Sequence, residues 1–573
     1  MRPVSSFESV GRSVLERLGI AEDPLIVADP VALLRSLAAA GGALVKNPAG
    51  AAAANGRLAI GLAAAARAAT ARALGGDPFG PVSPATNDRR FVDQAFADNP
   101  LYFLLEQQYL LGSQLVNELL DAAGLETTQE LKARFAAQFI VDALAPTNTL
   151  PGNPAAVRTA FDTGGKSVVR GAKNMLDDIL HNGGWPSQVD STGFEVGGNM
   201  AATPGAVVYR SDLIELIQYE PQGKQVHAVP LLFCPPWINK YYIMDLAPGR
   251  SLIEWAVQHG HTCFAISYRN PDASMRDLGF EDYLHQGLLD AVRVVREITG
   301  APEINTLSVC LGGTLTAIGL AHNAATGDPS IKSATFLNTH TDFTVPGALG
   351  IFTDEATIAG LEKKMEKKGF LESGRMAHTF DALRANDLVF SYVVNNWLLG
   401  NKPPAFDLLV WNKDNTRMPA RMHSRFLRSC YLNNEFARGE FEIDGHKLDP
   451  GKVDIDTYVL SAVDDHIVPW VSGYRTTQLF SGNTRFVLST SGHIAGIVNP
   501  PGPKAKHWTN DVLPVDPQDW KDSAELQPGT WWEDWTKWIA KQGGPKVAPP
   551  SHLGSKDHPV IESAPGSYVH ARA

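Results

Sequence analysis

The feature that most constrains this fold is a cysteine placed between a strand-like run and a helix-like run. Residues 305–309 form a strand-like run in which Thr306, Leu307 and Val309 are β-branched or apolar. Cys310 follows this run, and Gly312 and Gly313 precede the helical segment 314–322. Glycines are needed where helix and strand backbones approach closely, because a side chain would collide there. The pattern therefore predicts a sharp strand–turn–helix with the thiol at its apex. The alternative is a small buried cysteine after a core strand, a common place for free cysteines.

Two further polar side chains follow predicted strands downstream. Residues 456–461 form a buried strand pattern that leads to Asp465, and residues 484–489 form another that leads to His493. Each side chain comes just past the carboxyl end of its strand, and such ends meet at one edge of a parallel sheet. Singly, these residues would be turn or surface groups. Because a nucleophile needs a base and the base needs an orienting group, their order predicts a triad with Cys310.

The order nucleophile, acid, histidine is that of the α/β-hydrolase fold, which we therefore predict for the catalytic domain, residues 201–573. Strands alternate with helices there, as in a mostly parallel sheet. The alternation stops over about 341–447, which predicts a lid or cap insertion. Upstream, residues 86–200 are predicted to form a mainly helical N-terminal domain. Residues 1–85 are rich in Ala and Gly and are predicted to form a helical or partly disordered arm.

Two apolar segments allow alternative interpretations. The run from Leu101 to Leu120 predicts a helix with a wide apolar face. Burial in the N-terminal domain is favoured over a surface for a partner, a subunit or a granule, because such helices are usually buried. The aromatic residues of the insertion could line a path for an apolar product, but aromatic side chains at such spacing more often form a core.

Composition indicates a large globular protein and excludes several classes. With 573 residues, 44% of them hydrophobic and 19% charged, the chain can bury a sizeable core. We expect a cytoplasmic protein, because no apolar run is long enough to span a membrane and the N-terminus lacks the apolar core of a signal peptide. The four cysteines do not have the spacing of a disulfide framework or a metal site, so no metal is expected. A net charge of −11 disfavours nucleic acid as a partner.

Several longer runs resemble class I poly(3-hydroxyalkanoate) synthases, and the resemblance extends from about Asp88 to the C-terminus. The matching runs are Pro235–Leu246, Ser267–Asp272, the segment around Cys310, Asp464–Trp470, Ser491–Gly496 and His507–Asn510. Two positions depart from the family pattern. Ser308 stands where the family has Gly, and Trp237 stands where relatives often have Cys. Ser308 is still small enough for close packing.

The resemblance implies an acyltransferase that polymerises (R)-3-hydroxyacyl-CoA, with short substrates such as 3-hydroxybutyryl-CoA. Cys310 would carry the acyl group and His493 would act as its base. Asp465 would orient His493 or assist deprotonation of the substrate 3-hydroxyl. The backbone N–H groups of Leu311 and Ile238 would stabilise the oxyanion. No cofactor is expected, since coenzyme A is the leaving group of the substrate.

Four residues are candidates for substrate binding: Trp237, Asp245, Arg384 and His466. Arg384 could attract the anionic acyl-CoA, although a solvated surface arginine is the alternative. The expected partners are the substrate and the growing polyester chain. We also expect a homodimer, granule-associated proteins bound through the N-terminal domain, and a location on the surface of polyester granules.

Two other functions compete with polymerisation. A thioesterase or polyester depolymerase with a cysteine triad would carry the same three residues, because fold and triad do not fix the reaction. A non-enzymatic granule-coat protein could use the Leu101 to Leu120 helix. The family-specific runs favour polymerisation over hydrolysis. The intact triad and the length of the chain disfavour a coat protein.

Overall fold

The computed structural model describes residues 30–572, which form two compact units. Unit 1 comprises residues 30–190 and 375–406, and unit 2 comprises residues 191–374 and 407–572. The predicted insertion, 341–447, is thus divided between the units. Of the predicted arm, residues 1–29 lie outside the described part of the chain.

Unit 1 is helical. Its helices of five or more residues are Pro30–Lys46, Pro48–Ala73, Gln94–Asp98, Pro100–Ala123, Thr127–Ala143, Pro154–Asp162, Lys166–His181 and most of Ser373–Leu383, together with the π-helical segments Asn386–Phe390 and Val393–Leu398. The first two occupy the described part of the predicted Ala/Gly-rich arm.

The predicted apolar helix is confirmed as Pro100–Ala123. Asn99 caps its N-terminus, accepting from the backbone N–H of Leu101 at 2.9 Å, and Gly124 ends it in the left-handed conformation. Leu111 is buried against Gly61 of the Pro48–Ala73 helix. Part of its apolar surface is therefore core within unit 1, as the favoured interpretation expected.

Unit 2 is built on an eleven-stranded sheet. In chain order its strands are β1 Gly205–Arg210, β2 Ile214–Tyr219, β3 Leu231–Cys234, β4 Cys263–Tyr268, β5 Ile304–Val309, β6 Ile331–Leu337, β7 Asp456–Ala462, β8 Thr484–Ser489, β9 Lys506–Thr509, β10 Glu525–Pro528 and β11 Glu562–Ser563. The spatial order is β10-β9-β8-β7-β6-β5-β3-β4-β2-β1-β11. The six strands from β4 to β8 in this order are parallel, and the strands at both edges are antiparallel.

Helices of unit 2 cover this sheet and form the part of the insertion that belongs to it. They are Leu252–Gln258, Phe280–Asp282, Asp290–Thr299, Leu311–Thr326, Glu355–Lys368, Asp407–Lys413, Ala420–Arg425, Trp470–Leu479, Pro517–Ser523 and Trp531–Gln542, with π-helical segments at Tyr283–Leu289 and Phe426–Leu432. Helix Leu311–Thr326, here called the nucleophile helix, is buried from Leu311 to Asn323. Such continuous burial suits a helix packed between a parallel sheet and further layers.

The predicted α/β-hydrolase fold is confirmed by this parallel sheet with its helices. Every residue of β5 is buried, and so are all but the first of β7. Both strands are rich in β-branched and apolar residues, which is why their positions could be predicted. Among residues 30–572, no helix combines the length and apolar character needed to cross a membrane.

Candidate active site

Cys310 occupies the predicted turn between β5 and the nucleophile helix. Its backbone has φ 50° and ψ −119°, a conformation that residues other than glycine rarely adopt. The carbonyl oxygen of Cys310 accepts from the N–H groups of Gly313 at 2.9 Å and Thr314 at 3.2 Å. Its side chain is partly exposed, whereas the other three cysteines are buried. The strand–turn–helix prediction is confirmed, and it leaves one thiol accessible.

Two glycines allow this turn to pack. A Cβ atom at position 312 would lie 2.3 Å from the carbonyl oxygen of Cys234, and one at 313 would lie 2.1 Å from Oγ1 of Thr339. Neither position has room for a side chain. The contact at Gly312 also places the end of β3 against the nucleophile turn.

Ser308, which departs from the family pattern, is accommodated without strain on the backbone. It is fully buried, and its Oγ lies 2.8 Å from Oγ1 of Thr316 on the nucleophile helix. The buried hydroxyl therefore has a partner, which removes the main cost of replacing a glycine with serine here.

The structure brings His493 and Asp465 into direct contact. Nδ1 of His493 lies 2.6 Å from Oδ2 of Asp465. The other carboxylate oxygen accepts from the backbone N–H groups of Ile467 and Val468, each at 2.9 Å. The carboxylate is fully buried, yet three hydrogen bonds satisfy it. A carboxylate at Nδ1 keeps the proton on that nitrogen and leaves Nε2 of His493 as the base.

The electrostatic surroundings of His493 connect it to Cys310. Burial alone would lower the pKa of His493, but the charge of Asp465, the thiol of Cys310 and hydrogen bonds to both raise that pKa well above its ordinary value. A cationic imidazole stabilises a neighbouring thiolate. The arrangement can therefore hold an imidazolium–thiolate pair ready for nucleophilic attack.

Sequence reasoning missed the polar residues that follow β6. The side-chain amide of Asn338 donates to the backbone carbonyl of His493, and Asn338 itself has a positive φ of 45°. Nε2 of His340 donates to the carbonyl oxygen of Ile467 at 3.1 Å, and burial lowers the pKa of His340 to about 4. These two residues position the loop after β8 that carries His493, here called the histidine loop, and the loop after β7 that carries Asp465. A signal was available, since they follow a predicted strand as the three triad residues do.

The histidine loop is also held from the other side by the Trp531–Gln542 helix. The indole N–H of Trp531 donates to the carbonyl of Gly496 at 2.9 Å, and that of Trp532 donates to the carbonyl of Ile497 at 3.0 Å. Both indoles are almost completely buried. They fix the backbone three to four residues after His493.

Leu311 and Ile238, the predicted oxyanion donors, lie at the two sides of the nucleophile turn. Leu311 is the first residue of the nucleophile helix, where backbone N–H groups have no partner within the helix. Ile238 belongs to the loop after β3, whose start packs on Gly312. Their role in stabilising an oxyanion stays a prediction.

The loop that carries Ile238 is fastened on both sides. The carbonyl of Trp237 accepts from Oγ1 of Thr416, and the carbonyl of Lys240 accepts from the indole of Trp411 at 2.8 Å. The buried ammonium of Lys240 donates to the carbonyl oxygen of Val569 at 2.9 Å. Burial lowers the pKa of Lys240. These contacts restrict the movement of the backbone N–H of Ile238.

The predicted substrate-binding residues occupy different surroundings. Trp237 is buried, with its ring 5.6 Å from that of Tyr283. Asp245 is enclosed by Thr203 and Ser251, whose hydroxyls donate to its carboxylate, so it has no accessible surface for a substrate. Its location is that of a buried loop anchor, which the sequence pattern did not reveal.

The other two candidates are placed as follows. His466 is the residue after Asp465, is partly exposed, and accepts from the N–H of Ala348 through its carbonyl. Arg384 lies in unit 1, is half-exposed and pairs with Asp387. A substrate contact stays a prediction for both residues.

An aromatic side chain that sequence reasoning did not single out lies beside the triad. Tyr431 is buried, and its ring centroid lies 4.9 Å from that of Phe343 and 5.4 Å from that of Phe426. Burial raises the pKa of Tyr431 well above its ordinary value, and the charges of Cys310 and Asp465 raise it further. The insertion thus contributes an apolar wall with one hydroxyl near the triad.

Comparison with known proteins supports one family. Residues 87–256 match the model of the N-terminus of poly-β-hydroxybutyrate polymerase, and residues 230–500 match the model of the α/β-hydrolase fold. The poly(3-hydroxyalkanoate) polymerase of Methylorubrum extorquens is 43% identical over 86% of this chain and 82% of its own length. The poly(3-hydroxyalkanoate) polymerase subunit of Cupriavidus necator is 43% identical over 85% of this chain and 84% of its own length.

A further relative, poly(3-hydroxyalkanoate) polymerase 1 of Ectopseudomonas oleovorans, is 41% identical over 86% of this chain and 88% of its own length. The similarity therefore covers both the N-terminal region and the triad-bearing sheet. The chain belongs to the poly(3-hydroxyalkanoate) polymerase family and is an acyltransferase that makes polyhydroxyalkanoate.

Proposed function

We propose that this chain polymerises short (R)-3-hydroxyacyl-CoA, with 3-hydroxybutyryl-CoA as the main substrate, through an acyl thioester on Cys310. The observation that carries the mechanism is the Asp465–His493 pair, whose imidazole interacts with the thiol at the strained turn. The family model that matches the N-terminal part of the chain is named for poly-β-hydroxybutyrate, which supports the short substrate.

The first half-reaction transfers the acyl group to sulfur. His493 accepts the proton of Cys310, the thiolate attacks the thioester carbonyl, and the C–S bond to coenzyme A breaks as the acyl–enzyme thioester forms. The proton on His493 passes to the departing coenzyme A thiolate. The N–H groups of Leu311 and Ile238 stabilise the oxyanion between these two steps. No cofactor takes part.

The second half-reaction makes the ester bond. The 3-hydroxyl of one acyl unit gives up its proton to His493 and attacks the thioester carbonyl of another. A new C–O bond forms, the C–S bond breaks, and the departing thiolate takes the proton from His493. Asp465 orients His493 for this proton transfer or assists it at the hydroxyl. Water would compete with the hydroxyl, and the buried rings of Phe343, Phe426 and Tyr431 form an apolar wall that disfavours its entry.

We also propose that the active enzyme is a homodimer, located in the cytoplasm on the surface of polyester granules. The class I resemblance supports this assembly and location. Sedimentation of the purified chain with and without substrate would test it: a shift to dimer during the reaction supports the proposal, and a monomer of full activity contradicts it.

The reaction is tested by measuring coenzyme A, turbidity and free acid from (R)-3-hydroxybutyryl-CoA. Polymer with coenzyme A supports the proposal. Free 3-hydroxybutyrate without polymer would instead show a hydrolase, and neither product would agree with a coat protein. We expect Cys310→Ala to form neither coenzyme A nor polymer. Cys310→Ser should be severely impaired, because a hydroxyl is far less acidic than a thiol.

Cys263→Ala is the matched control for this experiment. Cys263 is fully buried in β4, where burial raises the pKa of its thiol well above the ordinary value. Its replacement removes a thiol of low reactivity and should preserve most activity. Substantial turnover by Cys310→Ala would show that another group is the nucleophile.

A further inference from the structure

Three potential metal ligands from three segments converge on one side of unit 2. Nε2 of His285 lies 2.6 Å from Oδ2 of Asp444, and Nε2 of His322 lies 3.2 Å from the same oxygen. One ligand atom from each residue falls within 4.8 Å of the other two. His285 belongs to the π-helical segment Tyr283–Leu289, and His322 belongs to the nucleophile helix.

The backbone fixes the position of Asp444. Asp444 and Gly445 have φ values of 54° and 78°, and they join the short strands Glu442–Ile443 and His446–Lys447. Two consecutive residues with positive φ are the pattern of a tight type I′ hairpin turn. The carboxylate is therefore presented from a rigid turn, and its position depends little on loop motion.

The burial of His322 is a second observation, independent of this convergence. Its side chain is only 9% exposed, and in the described part of the chain its Nδ1 has no hydrogen-bond partner. Its partner Asp444 is 41% exposed and shares a single oxygen between two imidazoles. Burial of His322 removes its ring from water, and the shared carboxylate oxygen replaces the lost hydrogen bonds only in part, which costs stability. A bond from Nε2 to a cation would offset this cost.

We propose that His285, His322 and Asp444 form a binding site for one divalent transition-metal ion of the Zn²⁺ type, with water completing the coordination. Two imidazole nitrogens and one carboxylate oxygen are a donor set that suits Zn²⁺ and Co²⁺. With bonds of about 2.0–2.1 Å, the ligand atoms of a tetrahedral site lie about 3.3 Å apart. The observed separations from Asp444 to the two imidazoles, 2.6 Å and 3.2 Å, are shorter than this value by less than about 1 Å.

A metal here would connect the Glu442–Lys447 hairpin to two segments that support the active site. The nucleophile helix begins next to Cys310 and carries His322 near its other end. The π-helical segment contains Tyr283, whose ring packs on Trp237. Bound metal would therefore stabilise the folded state of unit 2, because an ion that binds only the native state shifts the unfolding equilibrium.

Sequence analysis expected no metal because it searched for cysteine clusters and short ligand spacings. These three ligands are spread over a separation of 159 residues, so no local motif marks them. Only the packing of the hairpin against two helices brings them together. The proposal is independent of the polymerisation chemistry.

The test is titration of full-length protein, freed of metal by a chelator, with Zn²⁺ and Co²⁺. The Cys310→Ala variant serves as the parent, because the triad thiol and imidazole could bind these ions. We expect one ion per chain with a dissociation constant below about 10 μM, visible absorption of the Co²⁺ form, and a higher midpoint of thermal unfolding with Zn²⁺. Asp444→Asn and His285→Ala should each weaken binding at least tenfold.

Two features of these variants make the outcome decisive. Asparagine tolerates the positive φ at position 444, so Asp444→Asn preserves the turn while removing the charge. The control is His181→Ala, which removes an exposed histidine that pairs with one carboxylate, Asp177, at 2.9 Å. Binding should be unchanged in that control. No stoichiometric binding by the parent at about 100 μM ion, or equal binding by Asp444→Asn and the parent, would overturn the proposal.

Discussion

His493 is held by contacts at both its side chain and its backbone. Asp465 binds its Nδ1, Asn338 binds its carbonyl, and the indoles of Trp531 and Trp532 fix the residues that follow it. These four partners come from three different segments of unit 2. The imidazole is thereby kept in one orientation relative to the thiol, which a base needs if proton transfer is to be fast.

At the scale of single residues, we predict that His493→Gln and Asp465→Asn impair different steps of the reaction. His493→Gln removes the base, so acylation of Cys310 should be almost lost apart from slow reaction of the ionised thiol. Asp465→Asn leaves an imidazole that can still accept the proton, so an acyl burst should persist while elongation falls. Rapid-quench labelling with radioactive acyl-CoA measures the burst and the polymer separately.

The labelling distinguishes the two roles of Asp465. A stoichiometric burst with little polymer in Asp465→Asn supports assistance at the substrate hydroxyl, whereas equal loss of burst and polymer makes Asp465 only an orienting group. A normal burst in His493→Gln would remove His493 from the mechanism.

At the scale of elements, the site depends on the close approach of the nucleophile helix to the ends of β3 and β6. Gly312 touches the carbonyl of Cys234, and Gly313 touches the side chain of Thr339. The strained backbone of Cys310 is stable only because these contacts fix the turn from both sides. A single methyl group at either glycine would push the helix away from the sheet.

We therefore predict that Gly312→Ala lowers polymerisation about 100-fold, because the nucleophile is displaced, and destabilises unit 2 by about 1–3 kcal/mol. The new Cβ would meet a backbone oxygen at 2.3 Å, which cannot move as a side chain can. Polymerisation rate and the midpoint of thermal unfolding are the measurements.

The control for Gly312→Ala is Gly360→Ala. Gly360 lies in helix Glu355–Lys368, and its Cβ position has no atom within 4 Å. Alanine there should be neutral or stabilise the protein by up to about 1 kcal/mol, because it favours the helix. Wild-type activity in Gly312→Ala would show that the close approach is not required.

The elements also show what could be predicted from the sequence. Strands β5, β7 and β8 were predictable because each is a short run rich in apolar and β-branched residues, and the positions of Cys310, Asp465 and His493 followed from them. Asn338 and His340 also follow a predicted strand, but they were missed because the triad is complete without them and their contacts with His493 and Ile467 depend on tertiary packing. The placement of 375–406 in unit 1 likewise depends on long-range packing, which no local pattern encodes.

At the scale of the whole molecule, His261, His340 and His423 are buried histidines of unit 2 that stay neutral. Burial lowers the pKa of His340 and of His423 to about 4 and that of His261 to about 3, from an ordinary value of 6.5. Both ring nitrogens of His261 and of His423 are buried and have no hydrogen-bond partner among residues 30–572. Protonation would place an unpaired charge in the core, so each must stay neutral for the unit to stay folded.

This burial predicts a loss of stability in mild acid. Between the folded pKa values near 4 and the unfolded value of 6.5, the unfolded chain binds more protons than the folded chain. The free energy of unfolding therefore falls as pH decreases through this window, by up to about 4 kcal/mol per pH unit for three histidines. Urea unfolding of the full chain at a series of pH values measures the slope.

His423→Leu tests the assignment of this slope. It removes one buried imidazole without leaving a polar partner unpaired, so the slope between pH 4 and 6.5 should fall by about 1.4 kcal/mol per pH unit. His552→Leu, at an exposed position, should leave the slope unchanged. An unchanged slope in His423→Leu would show that other groups cause the acid sensitivity.

The central claim, a covalent acyl group on Cys310, is tested most directly with an acyl-CoA that lacks the 3-hydroxyl. Such a substrate can acylate sulfur but cannot elongate, so the first intermediate should accumulate. Mass spectrometry of the acid-quenched protein and its peptides is the measurement. We predict one acyl group per chain, on Cys310, and none on the buried Cys234, Cys263 or Cys430. An acyl group on any other residue, or release of coenzyme A with no acyl–enzyme, would contradict the account.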